Sequence, residues 1–154
     1  MAGRARRPLV PSHLPENPDI PWHEYILGKS VKKQNLKLLK VAETHELREG
    51  ESKKFEIKRP DQVTEAFVIK KDGRHYAYLN LCRHWMVGLD MDDNDFFSED
   101  KQWLVCKNHG AVYHPVTGVC EGGPCGGAAL YPVPLEEKDG MVCADLGKMD
   151  WGEV

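Results

Sequence analysis

The stretch "EAFVIKKDGRHYAYLNLCRH", residues 65–84, carries a fold signal and a chemical signal in succession. On either side of Asp72-Gly73 the residues alternate and are rich in β-branched and aromatic types. Asp-Gly between two such runs is a strong signal for a two-residue hairpin, because both central positions of that turn need a positive φ. The chain then leaves the strand pattern and sets Cys82 one residue away from His84. A second stretch, "WLVCKNHGAVYHP" at 103–115, sets Cys106 and His109 almost as closely.

Outward from the hairpin the same β signature recurs. "LKLLKV" (36–41) and "KKFEIK" (53–58) are short, alternating strands, and "ALYPVPLEEKDGMVCADL" (129–146) predicts strand, turn at Asp139-Gly140, and strand. No segment keeps a helical period long enough for a major helix, and no repeat of solenoid length occurs. The expectation is an all-β fold, an antiparallel sandwich or barrel over residues 36–146, with the Cys/His loops forming a small subdomain at one end. Residues 1–35 are proline-rich and then polar and basic, which predicts an extended arm with a short helix around 22–27; Trp22, Tyr25 and Ile26 would anchor it. Residues 147–154 are expected as a tail.

Composition narrows the classes of function. With 154 residues the chain builds one domain, and 41% hydrophobic with 29% charged residues is ordinary for a globular protein. A net charge of −3 argues against nucleic acid as the main partner. No apolar run approaches the roughly 18 residues of a spanning helix. Arg6-Arg7 is followed by Pro8, Pro11, Pro15, Pro18 and Pro21 rather than by the apolar core of an export signal, so a cytoplasmic location is expected. Five cysteines make an odd set, and in a reducing compartment cysteines outside the core are more often metal or redox groups than a disulfide framework.

Two Cys and two His suit structural zinc, whose ligands usually come as like pairs, two Cys and then two His. Here each loop mixes the types, Cys-x-His and then Cys-x-x-His. A mixed pair on each loop suits two metal ions of different character, one taking both thiolates and the other both neutral imidazoles, which eases reduction. A structural zinc clasp, and with it a non-redox binding module, stays open as the alternative.

Cys-Arg-His (82–84) and Cys-Lys-Asn-His-Gly (106–110), in that order, resemble the ligand loops of the Rieske [2Fe–2S] proteins. "AVYHPVTG" looks like the segment after that family's second loop, "CEGGPCGG" (120–127) is similar to its covering loop, and "LYPVPLEEKDGMVCADL" to its closing hairpin. The resemblance implies a [2Fe–2S] cluster with Cys82 and Cys106 on the buried iron and His84 and His109 on the exposed one. Gly110 would let the backbone turn closely after His109. The chain lacks the extra loop cysteines of the high-potential members, so their disulfide cannot form, and Ala111 stands where those members place a serine donor. Tyr113 keeps the position of the second donor. Hydrogen bonds to the sulfurs raise the potential, so the resemblance implies the lower half of a range of about −150 to +300 mV.

That type suits a soluble Rieske-type ferredoxin, a one-electron carrier between a reductase and an oxidase or oxygenase partner, with no catalytic residues of its own. The alternative is the Rieske small subunit of a multisubunit oxidoreductase. Between the ligand loops, "DMDDNDFFSED" (90–100) is acidic and is expected as a solvated lobe, pinned by Phe96 and Phe97, that docks a basic partner. Asp90, Asp92 and Asn94 mimic a calcium loop, but Asp95 and Lys101 occupy positions that loop gives to Gly and Glu. Cys120 and Cys125 are expected as free thiols with a small disulfide as the alternative, Cys143 as core filler, and His13, His23, His45, His75 and His114 as surface or turn residues.

Overall fold

The computed structural model describes residues 38–151. The arm expected over 1–35, its helix at 22–27, His13, His23 and the last residues of the tail lie outside the described residues.

Among the described residues nine antiparallel strands form three three-stranded sheets. Strands β2 (Ser52–Arg59), β3 (Gln62–Lys71) and β4 (Arg74–Leu79) make the first, in that order. Lys71 pairs with Arg74 across the predicted hairpin, with Asp72 at φ 51° and Gly73 at φ 73°, the positive values that the two-residue turn demands. The second sheet has the order β1 (Leu38–Glu43), β9 (Met141–Asp145), β8 (Leu135–Lys138), and its β8–β9 turn falls at Asp139-Gly140 as expected. The third is built from the short strands β5 (Leu104–Val105), β6 (Val112–Tyr113) and β7 (Cys120–Gly122). Among the described residues there is no α-helix; one 3-10 turn, Leu146–Lys148, is capped by Asp145 Oδ1, which accepts from the Gly147 amide at 3.1 Å.

The first sheet is a platform shared by two cores. Side chains along a strand alternate between faces, and the run Ala66–Ile69 is buried on both. Ala66, Val68, Ala77 and Leu79 join Ile57, Val41, Val133, Val142 and Ala144 in one core, the base core. Phe67, Ile69 and Tyr78 face the other way and join Leu89, Phe96, Phe97, Leu104, Tyr113 and Leu130 under the ligand loops. Phe96 stacks on Phe67 with ring centroids 3.8 Å apart, so the expected pinning of the acidic segment is observed.

Three expectations need correction. The strand predicted from 129 to the Asp139-Gly140 turn forms a ladder only as β8; before it stand isolated bridges, Tyr78 with Pro132 and Val119 with Ala129, because Pro132 and Pro134 have no N–H to offer. Cys143 is half-buried and belongs to neither core, because Val142 and Ala144 take the inner face of β9. His75 is not a surface residue: its side chain is 3% exposed, with Nδ1 2.7 Å from Glu137 Oε1. Packing also runs past residue 146, since Met149 and Trp151 lie against the base core and the Arg59 guanidinium sits 4.3 Å above the Trp151 ring.

Candidate metal centre

Each Cys/His pair sits on a loop closed by its own hydrogen bonds. The first loop leaves β4 at Asn80, whose buried side chain accepts from the Leu89 amide (2.8 Å) and donates to Asp90 Oδ1 (3.0 Å) and Glu65 Oε2 (3.0 Å). This amide pinches the loop shut at its stem, while Cys82 N donates to Val87 O inside it. The second loop is a single tight turn: Gly110 N reaches Cys106 O at 2.8 Å, with Gly110 at φ 74° as its expected role requires. The two loops are cross-tied by Lys107 N to Leu89 O and Asn108 Nδ2 to Gly88 O, both 2.8 Å.

The third loop, 120–128, closes over them. Gly123 has φ +89°, and a Cβ there would stand 2.9 Å from Ala111 Cα and Gly110 O, so only glycine lets the covering loop lie on the second ligand loop. Arg83 fastens the other side. Its Nη1 donates to Ala129 O at 3.0 Å and its guanidinium lies 4.3 Å from the centre of the Tyr131 ring.

This scaffold brings all four sequence-predicted residues together. Cys82 and Cys106 are buried, whereas His84 is half-buried and His109 exposed. The two imidazoles meet edge to face with centroids 5.1 Å apart. Trp85, 58% exposed, lies 5.6 Å from the His84 ring and 4.8 Å from that of His109.

Burial opposes ionisation of the Cys82 thiol, but the Tyr113 hydroxyl, the His84 and Trp85 amides and Cys106 outweigh it and lower its pKa. The Cys106 thiol is pushed up, by burial first and then by the neighbouring Cys82, against the amides of Asn108 and His109. Two thiols placed so closely do not both ionise unless a cation shares them. His84 Nδ1 is buried without a hydrogen-bond partner, a lone pair that the protein itself leaves unanswered. Both observations fit a cationic metal centre held by two sulfurs and two imidazoles.

Tyr113, fully buried, keeps the expected donor position, with Oη 3.2 Å from Cys82 Sγ. Ala111 is fully buried and brings no side-chain donor. Sequence reasoning missed Asn80, Arg83 and Lys54, whose partners lie far along the chain. An Asn two residues before Cys82, just after a strand, is the one sign the sequence offers.

In the acidic segment Asp92, Asp93, Asp95, Glu99 and Asp100 are exposed, as the expected solvated lobe requires, and Asp90 is the exception. Asp90 is 1% exposed. Burial alone would raise its pKa, but hydrogen bonds from Asn80, Lys54 and the Asn94 amide hold its carboxyl below the usual range. Lys54 Nζ stands among Asp90 (3.0 Å), Asp92 (3.4 Å) and Glu65 (3.7 Å), so the protein's own ammonium occupies the only carboxylate cluster among the described residues with cation-site geometry. Asp93 and Asp95 pair with Lys107 and Lys101. The exposed surface beside the histidines is instead apolar: Trp85, Met86 (56%), Val87 (38%) and Met91 (66%).

No curated protein matches the chain. Solved structures do. A chain of the reduced complex between oxygenase and ferredoxin in carbazole 1,9a-dioxygenase is similar at TM-score 0.60 and 23% identity, over 71% of this chain and 28% of that one. A chain in the complex of reduced oxygenase and oxidized ferredoxin of carbazole 1,9a-dioxygenase matches at 0.58 and 22%, over 73% and 95%. The ferredoxin of carbazole 1,9a-dioxygenase from Nocardioides aromaticivorans IC177 matches at 0.54 and 22%, over 70% and 96%. At these identities the likeness is one of fold, and this chain spans little more than a quarter of the first of those proteins. The sequence profile of the Rieske [2Fe–2S] domain matches residues 37–134, most of the chain. The chain belongs to the Rieske [2Fe–2S] domain family, and its cofactor is a [2Fe–2S] cluster.

Proposed function

We propose that the protein is a one-electron carrier of the ferredoxin type, in which Cys82 and Cys106 hold one iron and His84 and His109 the other. The observation that carries this reading is the division of the donors: both thiols buried beneath three interlocked loops, both imidazoles together at the surface edge. When bound, the cluster supplies reversible uptake of a single electron. The chain's own part is to hold the sulfur charge with Tyr113 Oη and the loop amides, and to keep the sulfurs from water. It also presents His109 and Trp85 to a partner.

We read the partners as a reductase on one side and an oxygenase or oxidase on the other, by analogy with the oxygenase–ferredoxin complexes named above. The carrier needs no substrate site or catalytic residue of its own, and we place it in the cytoplasm on the composition and cysteine arguments. Docking through the 90–100 segment is the weaker surface, because Lys54, Lys107 and Lys101 answer its carboxylates from within. The apolar residues Trp85, Met86, Val87 and Met91 favour a partner contact beside the histidines, in a transient complex or as a subunit of a larger oxidoreductase.

The test is to count iron, sulfide and zinc in anaerobically purified protein and record its EPR spectrum after dithionite. Two irons and two sulfides with the low average g of histidine ligation are expected, and Cys106→Ser and His109→Ala should each lose that signal. A colourless protein holding zinc would overturn the reading.

A further inference from the structure

The covering loop holds a second pair of sulfurs that the ligand set does not use. Cys120 and Cys125 are both free, 3% and 8% exposed, and their Sγ atoms lie 2.8 Å apart. The backbone fixes this approach with three bonds inside one short loop: Cys120 N to Ala128 O (2.7 Å), Ala128 N to Cys125 O (3.0 Å) and Gly127 N to Cys120 O (3.1 Å). A disulfide needs its sulfurs about 2.0 Å apart, so closure asks for a side-chain movement of well under 1 Å. Two cysteines serving only as small apolar filler would not need to face one another within a polar network.

That network leads to the metal centre. Cys120 Sγ donates to Gly122 O at 3.2 Å. Cys125 Sγ is 3.1 Å from Tyr113 Oη, which accepts from the Arg83 amide at 3.0 Å and lies 3.2 Å from Cys82 Sγ. A cysteine that ligates iron has lost its proton and can only accept, so the tyrosine must donate toward Cys82. Its remaining lone pairs take the Arg83 N–H and the Cys125 S–H. The run Cys125 S–H to Tyr113 O–H to Cys82 Sγ is therefore continuous, and each bond polarises the next.

We propose that Cys120 and Cys125 form a redox-active dithiol, oxidised to a disulfide by hydroperoxides, and that this oxidation lowers the potential of the cluster through Tyr113. The sulfur of Cys125, the more exposed of the two, attacks the outer peroxide oxygen and the O–O bond breaks. The thiol proton leaves with the alcohol or water released, and Cys125 becomes a sulfenic acid. Cys120 Sγ then attacks that sulfur, the S–S bond forms, and the sulfenic hydroxyl departs as water with the Cys120 proton. Two thiols and one hydroperoxide give one disulfide, one alcohol and one water, with two electrons passing from sulfur to oxygen. Burial pushes the Cys125 thiol up to about 11, which makes the first attack slow and suits a response to accumulated peroxide. Once the S–H is gone, Tyr113 loses the donor that polarised it, its bond to Cys82 weakens, and the added electron is less stabilised.

The potential shift rests on the ligand assignment above; the disulfide does not. Tryptic cleavage after Lys107 and Lys138 isolates Cys120 and Cys125 in one peptide that holds no other cysteine. Full-length protein carrying its cluster is treated with stoichiometric hydrogen peroxide, with iron counted before and after. The expected result is a 108–138 peptide lighter by two hydrogens and restored by dithiothreitol, at unchanged iron content. Voltammetry should show a lower potential after peroxide, and Cys125→Ser protein, which keeps a hydroxyl beside Tyr113 but cannot begin the oxidation, should show no such shift. A peptide still alkylated at both cysteines, or carrying sulfinate, would overturn the dithiol; a disulfide with no change in potential would overturn the relay. Protein without iron would sink the ligand assignment, while the peptide mass still decides the dithiol.

Discussion

Phe67 and Val68 are neighbours in β3, and each belongs to a different half of the molecule. Below the platform, on the face of Val68, order comes from ladders: β2 pairs with β3 in an unbroken register from Ser52–Ile69 to Arg59–Gln62. Above it, on the face of Phe67, the strands are two or three residues long, and their pairing shifts register between Val112 and Tyr113. Order there comes from particular contacts, among them the Asn80 pinch, the Gly123 approach, the Arg83 strut and the Tyr113 hydroxyl. A ladder distributes its stability over many bonds, whereas a set of single contacts can be lost one at a time. The half that holds the donors is thus the half that gains most from binding a metal centre, and ligation should couple to its folding.

The sharpest test of that division truncates the two neighbours separately. Phe67→Ala removes the ring on which Phe96 stacks and should cost about 3–5 kcal/mol. Val68→Ala should cost about 2 kcal/mol in the base core. Hydrogen exchange of the full chain should then separate the halves. Phe67→Ala should release the amides of 80–90, 104–113 and 120–128 while β8 and β9 stay protected, and Val68→Ala should do the reverse. Equal loss in both halves would mean a single cooperative unit.

Gly123→Ala strikes one contact in the upper half. Its φ of +89° and the 2.9 Å approach to Ala111 Cα and Gly110 O leave no room for a methyl group, and both neighbours are backbone. A cost of about 2 kcal/mol or more is expected in denaturant unfolding. Iron loss to a chelator should quicken, because the covering loop must lift. Unchanged chelation kinetics would show that this loop does not guard the centre.

Acid offers a gentler probe of the first ligand loop. Asp90 titrates below its ordinary range in the folded protein, so its contribution to stability is complete above the unfolded carboxylate pKa, near 4, and is lost as pH falls through the lower folded value. Lowering pH through that window should loosen residues 80–95 before β2 and β3, as followed by amide exchange. Asp90→Asn should be less stable at neutral pH and lose that dependence, since neither Asn94 N nor Lys54 then meets a charge.

The same contrast sets what could be read from the residues alone. Hairpins at Asp72-Gly73 and Asp139-Gly140 announce themselves because the turn needs residues that tolerate positive φ, a local demand. The two Cys/His pairs stand out for a like reason, since each pair lies within one short loop. Asp90 read as part of an acidic lobe, since nothing near it in sequence says that Lys54 will arrive from β2 and turn a charge into a buried anchor. His75 and Cys143 depart from the sequence expectation for a related reason: which face of a strand is covered depends on Glu137 and on the sheet it joins. Cys120 and Cys125 were visible as a pair, but only the fold of 120–128 brings their sulfurs to 2.8 Å with Tyr113 alongside.

Tyr113→Phe is the smallest change and the most selective. The ring keeps its place in the upper core, so the structural loss is confined to one hydroxyl, about 1 kcal/mol with the Arg83 amide left short of an acceptor. Iron content should be unchanged. The potential should fall, because a donor to Cys82 Sγ is gone and Ala111 offers no replacement. The variant also separates two roles that the tyrosine holds at once. If it serves only the ligand sulfur, the fall will be the same whether Cys120 and Cys125 are reduced or oxidised, and the wild-type potential will ignore their state as well. If it joins the two sulfur pairs, peroxide will shift the wild type toward the potential of the variant and leave the variant where it stands.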